Sequence, residues 1–423
     1  MKPRVAVVGG GWAGLAAALR LAEAGIPVSL HEAARQLGGR ARTVDWHGVK
    51  IDNGQHLLSG AYTETLALID RLGTASGLER HALRLAGPDL DLVVPRWPAP
   101  LHLLAGLVGA RGLDTADKRA ALRLMAGLRL RRFKLPRDQD AAHWLRACRQ
   151  PDTTIHRLWE PICVAALNTP LAMASAQVFC HVLRDSLAGR RAASDLLFNR
   201  TDLGALLAEP AAARLTRLGA QVHRSSRIEG IVLDSRGFRL QGPDETVDQV
   251  IVATHASQVR ALLKDLPESD AWTRPLAEFT WQPILTVWLR FAAPVRLPYP
   301  MVALGEGADP WLFERSDIAP GLAALVASAE GTHLGLDTDA LLAAWLPRLA
   351  ARLGPLPTLL DALRIVEKRA TWACVPDMTR PTPAGPVPGL YLAGDYTAGD
   401  YPATLEGAVR SGLQCASLIL DRP

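Results

Sequence analysis

The stretch DNGQH, at residues 52–56, places a carboxylate, two amides and an imidazole within five positions of the chain. An imidazole titrates near neutral pH, so His56 is a candidate for a group that donates a proton during catalysis. The apolar side chains of Ile51 and Leu57 flank the stretch. The same residue types also suit a turn that only holds a bound molecule, and a single histidine is often structural. What the preceding fifty residues bind decides between these interpretations.

Residues 4–33 are expected to form a strand, a tight turn, a helix and a second strand. The turn carries Gly9, Gly11 and Gly14 in the pattern G-x-G-x-x-G. In this pattern the first glycine allows the turn, the second lets a pyrophosphate approach, and the third lets helix and strand lie close together. Glu32 ends the second strand, where a carboxylate bonds both hydroxyls of a ribose and repels a 2′-phosphate. The pattern predicts a bound dinucleotide other than NADP.

The segment ARQLGGRART follows Glu32 directly and contains Gly39 and Arg40. It resembles the R-x-G-G-R-x-x-[ST] signature of the FAD-dependent amine oxidase and carotenoid desaturase superfamily, where it supports the phosphates and ribityl chain of the flavin. Adjacent glycines allow a close approach of the backbone, and an arginine can neutralise a pyrophosphate. The resemblance therefore implies FAD as the cofactor.

The C-terminal stretch GLYLAGDYTAGDYPATLEGAV resembles the closing motif of the same superfamily. The resemblance implies that Asp395 bonds a ribityl hydroxyl. It also implies that the N-terminus of the next helix, whose first turn is expected to include Thr404 and Leu405, faces the flavin pyrimidine, where a helix dipole would stabilise negative charge. In the middle of the chain, the backbone near Ile228 is implied to contact the adenine.

The predicted fold class is α/β: a Rossmann-like FAD-binding domain of the amine oxidase and phytoene desaturase type, intergrown with an α+β substrate domain. The FAD-binding domain is assigned to residues 1–85, 205–268 and 370–423, and the substrate and membrane-facing domain to residues 86–204 and 269–369. The segment 86–204 is expected to be mostly helical, with breaks at Pro136, Pro151, Pro161 and Pro170.

The closest resemblance is to the squalene-associated FAD-dependent enzymes, the hydroxysqualene dehydroxylases of bacterial hopanoid synthesis. It is carried by the stretches VVGGGWAGLAAA, LGGRART, IDNGQHLLSGAY, LWEPICVAALNTP, ASAQVF and AGDYTAGDYPATLEGAVRSG. With the glycine pattern it predicts these FAD-binding residues: Gly9, Gly11, Trp12, Ala13, Gly14, Glu32, Ala33, Gly39, Arg40, Asn53, Gly54, Gln55, His56, Ile228, Gly394, Asp395, Thr404 and Leu405. No metal ligands are predicted.

The resemblance also implies a reaction, in which hydroxysqualene and reduced FAD give squalene and water. Protonation of the allylic hydroxyl would leave a delocalised cation, which hydride from flavin N5 would quench. His56 is the preferred proton donor, and Asp400, Tyr401 and Glu406 of the closing motif are the reserve candidates. Aromatic faces stabilise cations, although each tryptophan also suits ordinary core packing; the candidates are Trp12, Trp159, Trp281 and Trp372.

Composition limits where the protein works. Five scattered cysteines without a C-x-x-C pair favour a reducing cytosol, and the glycine-rich N-terminus is interpreted as a nucleotide-binding turn rather than a signal peptide. Residues 111–137 carry nine Lys or Arg against two Asp, with apolar residues between them. No nucleic-acid motif accompanies them, so we expect residues 100–137 to contact the inner face of the cell membrane; a solvated basic face is the alternative.

Three other functions stay open at this point. A polyene desaturase has the same fold and the reverse electron flow, and an amine oxidase fits less well because no aromatic cage with a lysine is identifiable. A non-enzymatic prenyl-lipid binder would have lost FAD. The expected substrate is a C30 isoprenoid, and because the sequence shows a single nucleotide-binding pattern, electrons are expected from a separate donor.

Overall fold

The structure is a computed structural model that describes residues 2–305 and 309–421. The strands are β1 Val5–Val8, β2 Val28–His31, β3 Thr43–Trp46, β4 Val49–Asp52, β5 Leu58–Ser59, β6 Leu78–His81, β7 Arg84–Ala86, β8 Asp91–Val93, β9 Leu196–Asn199, β10 Gln221–His223, β11 Gly230–Asp234, β12 Gly237–Gln241, β13 Glu245–Val247, β14 Gln249–Val252, β15 Trp281–Phe291, β16 Met301–Ala303, β17 Trp311–Glu314, β18 Leu322–Ser328, β19 Leu359–Trp372 and β20 Leu390–Leu392.

The helices are α1 Trp12–Glu23, α2 Thr63–Leu72, α3 Leu101–Gly109, α4 Thr115–Leu130, α5 Ala141–Ala147, α6 Asp152–Thr154, α7 Glu160–Leu167, α8 Ala176–Leu187, α9 Glu209–Arg217, α10 Ala256–Leu262, α11 Ser269–Thr273, α12 Thr338–Leu353 and α13 Leu405–Leu420. Within the described residues, no helix combines the length and the apolar character that a membrane crossing requires.

A parallel sheet of order β10-β2-β1-β14-β20 forms the nucleotide-binding half. Strands β1, β14 and β20 are short, mostly apolar runs buried on both faces, as parallel strands covered by helices require. Helix α1 buries ten of its twelve residues, mostly alanine and leucine, against this sheet and α13. Ligands bind such sheets at the carboxyl ends of the strands, so the loops after β1, β2 and β14 are expected to meet at one site.

An antiparallel sheet of order β16-β17-β18-β15-β19 forms the other half. The apolar side chains of one face of the sheet lie against α12. On the opposite face, Trp288 of β15 shares a core with Trp46 and Ile51 of the β3–β4 hairpin. This contact holds the end of β4, and with it the stretch 52–56, between the two sheets.

The segment 86–204 differs in part from the sequence-based expectation. It contains helices α3 to α8, but β8 and β9 are strands, and β9 pairs with β5 and β6. Pro161 does not break a helix: it lies in the first turn of α7, which a π-helical turn at Ile155–Trp159 joins to α6. In a regular helix a proline lacks the N–H donor and its ring clashes with the carbonyl four residues back; the π-helical turn directly before Pro161 changes that spacing.

Candidate functional site

The turn after β1 has the close contacts that its glycines predict. Gly9 has φ +115°, and a Cβ there would lie 2.5 Å from the carbonyl oxygen of Ala253. A Cβ on Gly14 would lie 2.0 Å from the carbonyl oxygen of Gly9. Only glycine fits either position, so α1 begins directly beneath the ends of β1 and β14.

Glu32 follows β2 and contacts the same turn. One carboxylate oxygen accepts the Gly10 N–H at 2.7 Å, and the other accepts the Ala34 N–H at 2.8 Å. Ser226 N–H donates to the Glu32 carbonyl at 2.8 Å, which brings the loop that leads to Ile228 beside this carboxylate. Each carboxylate oxygen keeps a further lone pair, so Glu32 can still accept from two ribose hydroxyls.

Arg40 and Asp395, predicted from opposite ends of the chain, form an ion pair. Arg40 Nη2 donates to Asp395 Oδ1 at 2.6 Å, and Nη1 donates to the Ala370 carbonyl at 2.8 Å. Burial lowers the pKa of the Arg40 guanidinium, but the negative charges of Asp395 and Glu367 raise it by more. The net pKa of Arg40 therefore lies above its usual value. A permanently charged arginine therefore lies where the sequence predicts a phosphate neighbour.

Asp52, at the end of β4, anchors the DNGQH stretch. Its carboxylate accepts the Leu203 N–H at 2.8 Å and the Asn199 side-chain amide at 3.0 Å. Burial raises its pKa to about 7, although these hydrogen bonds and the charge of Arg315 act in the opposite direction. Asp52 therefore positions the loop rather than meeting the cofactor.

Arg315, which the sequence reasoning missed, supports the same loop. It is fully buried at the end of β17 and donates to Gln55 Oε1 and to the Asn199 carbonyl. The Gln55 amide in turn donates to the His56 carbonyl at 2.7 Å. Arg315 also pairs with Asp317 at 3.2 Å, as a surface arginine could, whereas the partners that bury it are 116 and 260 residues away and leave no local signal in the sequence.

His56 has a defined tautomer. Its Nδ1 lies 2.7 Å from the Gly54 carbonyl, which can only accept, so Nδ1 carries the proton. Burial lowers the pKa of His56 to about 4, with Arg40 acting in the same direction and the Gly54 hydrogen bond opposing both. A neutral His56 presents Nε2 as an acceptor, so it donates a proton from Nε2 only in its imidazolium form.

His255, after β14, is a second histidine at this site that the sequence reasoning missed. Its Nδ1 accepts the Ser257 N–H at 3.3 Å, which leaves the proton on Nε2. Nε2 is buried without a partner among the described residues, and the ring lies 4.4 Å from that of Trp281. Burial lowers the pKa of His255 to about 4, with further effects from Arg40 and Asp395. Its place at the carboxyl end of a central strand was the available signal.

The reserve candidates for catalysis are not brought to His56. Glu406 is buried, and its oxygens accept the Glu64 N–H at 3.1 Å and the Thr65 N–H at 2.9 Å. It therefore caps α2 and is a structural carboxylate. Asp400 is exposed and pairs with Arg184, and the Tyr401 ring lies under Arg410.

The closing motif reaches the site through the start of α13. Thr404 is the N-cap of this helix rather than part of its first turn, since its hydroxyl accepts the Gly407 N–H at 3.1 Å. Leu405 is the first helical residue. Gly394 N–H donates to Ser411 Oγ at 2.7 Å, which ties the end of β20 to the same helix.

The four predicted tryptophans do not all lie at the site. Trp159 is a core residue whose indole N–H donates to Gln150 at 2.9 Å. Trp372 donates to the Asp395 carbonyl at 3.3 Å, and Trp281 lies against His255, so both belong to the site. Trp12 is buried at the start of α1.

The residues fit the predicted FAD. Of the buried side-chain polar atoms that have no partner among the described residues, three belong to this site: Trp12 Nε1, the Thr254 hydroxyl and His255 Nε2. They follow β1 or β14, at the edge of the sheet where a dinucleotide binds. Buried polar groups normally have partners, so these are groups that a bound molecule can satisfy. The predicted contacts of Asn53, Gly54 and Ala33 with FAD stay predictions.

Comparisons with known proteins agree with this geometry. Residues 12–420 match the family of flavin containing amine oxidoreductases, which confirms FAD as the cofactor. The chain is 30% identical to a hydroxysqualene dehydroxylase of Sinorhizobium fredii and 31% identical to one of Rhodopseudomonas palustris, each over 99% of both chains. A zeta-carotene desaturase of Synechocystis is 30% identical over only 38% of this chain.

Solved structures show the same fold. Cyclohexylamine oxidase from Brevibacterium oxydans superposes with a TM-score of 0.70 over all of both chains, at 17% identity. The Rossmann-like FAD-binding fold with an intergrown substrate domain is thereby confirmed. The chain belongs to the flavin containing amine oxidoreductases and, within them, to the family of the hydroxysqualene dehydroxylases.

Proposed function

We propose that this protein catalyses the FAD-dependent reductive dehydroxylation of hydroxysqualene to squalene. The observation that carries this function is the similarity to two hydroxysqualene dehydroxylases along the whole chain, including both ends of the FAD site. The similarity to zeta-carotene desaturases covers 38% of the chain in one relative, at 30% identity, and 68% in another, at 28% identity, so a desaturase activity is the weaker interpretation. Reduced FAD, when bound, supplies the hydride that replaces the hydroxyl group.

The residues of the chain hold the cofactor and shape its surroundings. Glu32 accepts from a ribose, and Arg40 and the N-terminus of α1 offer positive charge to a pyrophosphate. Trp281 and Trp372 offer apolar ring faces close to Asp395 and His255. Such faces exclude water and stabilise a delocalised cation.

The departing hydroxyl requires one proton, and two histidines are available. We propose His56 as the donor in its imidazolium form. An anion bound nearby raises the pKa of an imidazole, so the acid form of His56 is expected in the complex rather than in the protein alone. His255 differs because its Nε2–H can donate a hydrogen bond while the ring is neutral. It is suited to orienting the hydroxyl.

We also propose that the protein lies on the inner face of the cell membrane and serves hopanoid synthesis, as its resemblance implies. One face of α3 and the turn before it supports the first part. Trp97, Leu101, Leu104 and Val108 are between 42% and 60% exposed and recur at helical spacing. Exposed arginines occur just before and after this segment in the chain, at Arg96, Arg111, Arg119 and Arg123. An apolar stripe edged by arginines is typical of a helix that rests on anionic lipid.

The test is an anaerobic absorbance titration. The purified protein is expected to carry oxidised FAD; after photoreduction, added hydroxysqualene should restore the oxidised spectrum and give squalene. Bleaching of the oxidised enzyme by squalene or phytoene, with no response of the reduced enzyme to the alcohol, would identify a desaturase. Protein without flavin would identify a lipid binder.

A further inference from the structure

A wide groove next to the FAD site has no role in the function described so far. It has a volume of about 1580 Å³ and lies between the start of α2, the C-terminal ends of α4 and α8, the loop 397–401 and α13. It opens to the surface. Its walls reach Asp395, which pairs with Arg40 at the FAD site, and Gly407 in the first turn of α13.

The groove is strongly basic, because more arginines than acidic residues line it. The seven arginines are Arg80, Arg129, Arg132, Arg184, Arg190, Arg380 and Arg410. The four acidic residues are Glu64, Asp185, Asp395 and Asp400. An arginine-lined concavity of this size concentrates negatively charged molecules at its surface.

Several of these charges are not neutralised by the protein. Arg132 and Arg190 are exposed, and their side chains have no hydrogen-bond or ion-pair partner among the described residues. Arg129 donates only to the Ala188 carbonyl, at 3.1 Å. Arg380 donates to the carbonyls of Gly399 and Tyr401 and has no carboxylate partner in the described chain.

Most of the acidic residues, by contrast, are already paired. Asp185 accepts two hydrogen bonds from Arg184, at 2.7 and 3.1 Å, and Asp400 pairs with the same arginine. The excess positive charge therefore remains available to a ligand.

The proposed reaction needs an electron supply. In each turnover a C–O bond breaks, a C–H bond forms and the oxygen leaves as water, which consumes two electrons and two protons. Within residues 2–305 and 309–421, the G-x-G-x-x-G pattern between a parallel strand and a helix N-terminus occurs once, at Gly9–Gly14, and that turn is assigned to FAD. The electrons must therefore enter by a route other than a second site of this type.

We propose that the arginine groove docks an acidic one-electron carrier protein that reduces the bound FAD, an inference that rests on the proposed function. Two carriers are oxidised for each hydroxyl removed, and the protons come from solvent. Complementary charge steers such encounters and allows a small, transient interface.

The geometry favours a protein carrier over a nicotinamide dinucleotide. Helices α4 and α8 point their C-terminal ends, not their N-termini, at the groove. The second and third N–H groups of α2 are already bonded to Glu406. The start of α2 therefore offers no free N–H groups of the kind that hold phosphates, and the N-terminus of α13, whose Gly407 lines the groove, is the one that the resemblance assigns to the flavin. The groove also reaches the FAD site through Asp395, which the resemblance places on the ribityl chain. Single electrons can cross there, whereas hydride transfer needs contact with the reacting ring.

The experiment compares two double variants with the same change in charge. Arg132→Glu/Arg190→Glu changes the groove, and Arg217→Glu/Arg236→Glu changes two exposed arginines outside it. A [2Fe–2S] ferredoxin and a flavodoxin, both acidic, are the probes. Association of the oxidised carriers with the immobilised FAD-loaded chains, and the rate at which the reduced carriers reduce those chains, are measured at increasing salt.

For the wild type, both rates are expected to fall as salt increases. The groove variant should lower them about 10-fold or more, within the range of electrostatic steering, and the control variant should change them little. Small donors provide a second test that is independent of the carrier used. The groove variant should slow reduction by the sulfur dioxide radical anion from dithionite and accelerate reduction by the methyl viologen radical cation.

Three results would overturn the proposal. The first is equal rates in the groove and control variants, or no reduction by either carrier. The second is saturable, arginine-dependent reduction by NADH or NADPH, which would assign the groove to a dinucleotide. The third is a groove variant that no longer binds anionic vesicles but still binds the carriers, which would make the groove part of a membrane surface. The proposed function is judged separately, by whether photoreduced wild-type enzyme converts hydroxysqualene without a carrier.

Discussion

Arg40 Nη2 and Asp395 Oδ1 lie 2.6 Å apart although 355 residues separate them in the chain. The pair joins the glycine-rich segment after β2 to the loop after β20. Each residue was predicted to contact a different part of FAD. Their contact means that the phosphate end and the ribityl part of the site are held in one arrangement before the cofactor binds.

Asp395→Asn is expected to lower FAD occupancy, because it removes a predicted ribityl ligand and leaves the Arg40 charge without its carboxylate. Arg40 is about a third exposed, so we expect the apoprotein to lose only about 1–3 kcal/mol of unfolding free energy. Flavin absorbance per protein and urea unfolding measure the two effects. Asp270→Asn, which breaks an exposed pair with Arg260, is the control. A fully loaded Asp395→Asn protein would contradict the assignment.

His56→Ala is expected to keep FAD bound and to slow dehydroxylation by about 10²–10⁴-fold, the usual effect of losing an acid. His255→Ala should also retain FAD but raise KM more than it lowers kcat, because its Nε2–H is suited to orienting the substrate. Stopped-flow oxidation of the reduced enzyme by hydroxysqualene separates the two effects. An unchanged rate in His56→Ala would remove that residue from the mechanism.

The two histidines should differ in tautomer, since Nδ1 of His56 faces a carbonyl and Nδ1 of His255 faces an N–H. ¹⁵N spectra of the apoprotein are expected to show the proton on Nδ1 of His56 and on Nε2 of His255. Both folded-state pKa values lie near 4, below the ordinary 6.5. The unfolded chain therefore binds more protons between these values, and both residues make stability rise as pH rises from about 4 to 6.5. The same tautomer in both rings would contradict the geometry.

Arg315→Met is expected to reduce kcat by about 10²-fold with little change in FAD occupancy, because it removes the donor that holds Gln55 and hence His56. A positioning role predicts partial rescue by Arg315→Lys and a shifted pH profile. A purely structural role would instead lower thermal stability and activity together in both variants. Arg290→Met, on an exposed position of β15, is the control.

Asp52→Asn should remove a pH dependence of stability. The folded-state pKa of Asp52, about 7, lies above its ordinary 3.8. At a pH between these two values, the carboxyl group is therefore protonated in the folded protein and ionised in the unfolded chain. The wild type should therefore lose stability relative to Asp52→Asn as pH rises from about 4 to 7, by up to ~4 kcal/mol. Urea unfolding at several pH values measures the difference, and a constant difference would show that Asp52 is ionised throughout.

Leu104→Glu/Val108→Glu should weaken binding to vesicles that contain phosphatidylglycerol, because both side chains lie on the exposed face of α3. Leu233→Glu/Leu360→Glu, at two similarly exposed positions elsewhere, is the matched control. Vesicle sedimentation measures the effect. Equal loss in both variants would argue against a membrane face at α3.

The features that the sequence predicted best depend on residues close together in the chain. The glycine turn, α1 and Glu32 lie within one strand–helix–strand unit, where φ angles and helix–strand distance dictate the residue types. The helix break at Pro161 was predicted wrongly, because a proline in a first turn looks the same in sequence as one that ends a helix.

The sequence by itself determined the nucleotide-binding unit, the FAD motifs at both ends and the family, since these follow from local backbone requirements and recognisable patterns. Tertiary structure decided which side chains meet. It buried Arg315 behind Gln55, gave His56 and His255 opposite tautomers, turned Glu406 towards α2 and collected arginines from five segments into one groove. Burial and pairing depend on neighbours far away in the chain, and no local pattern records them.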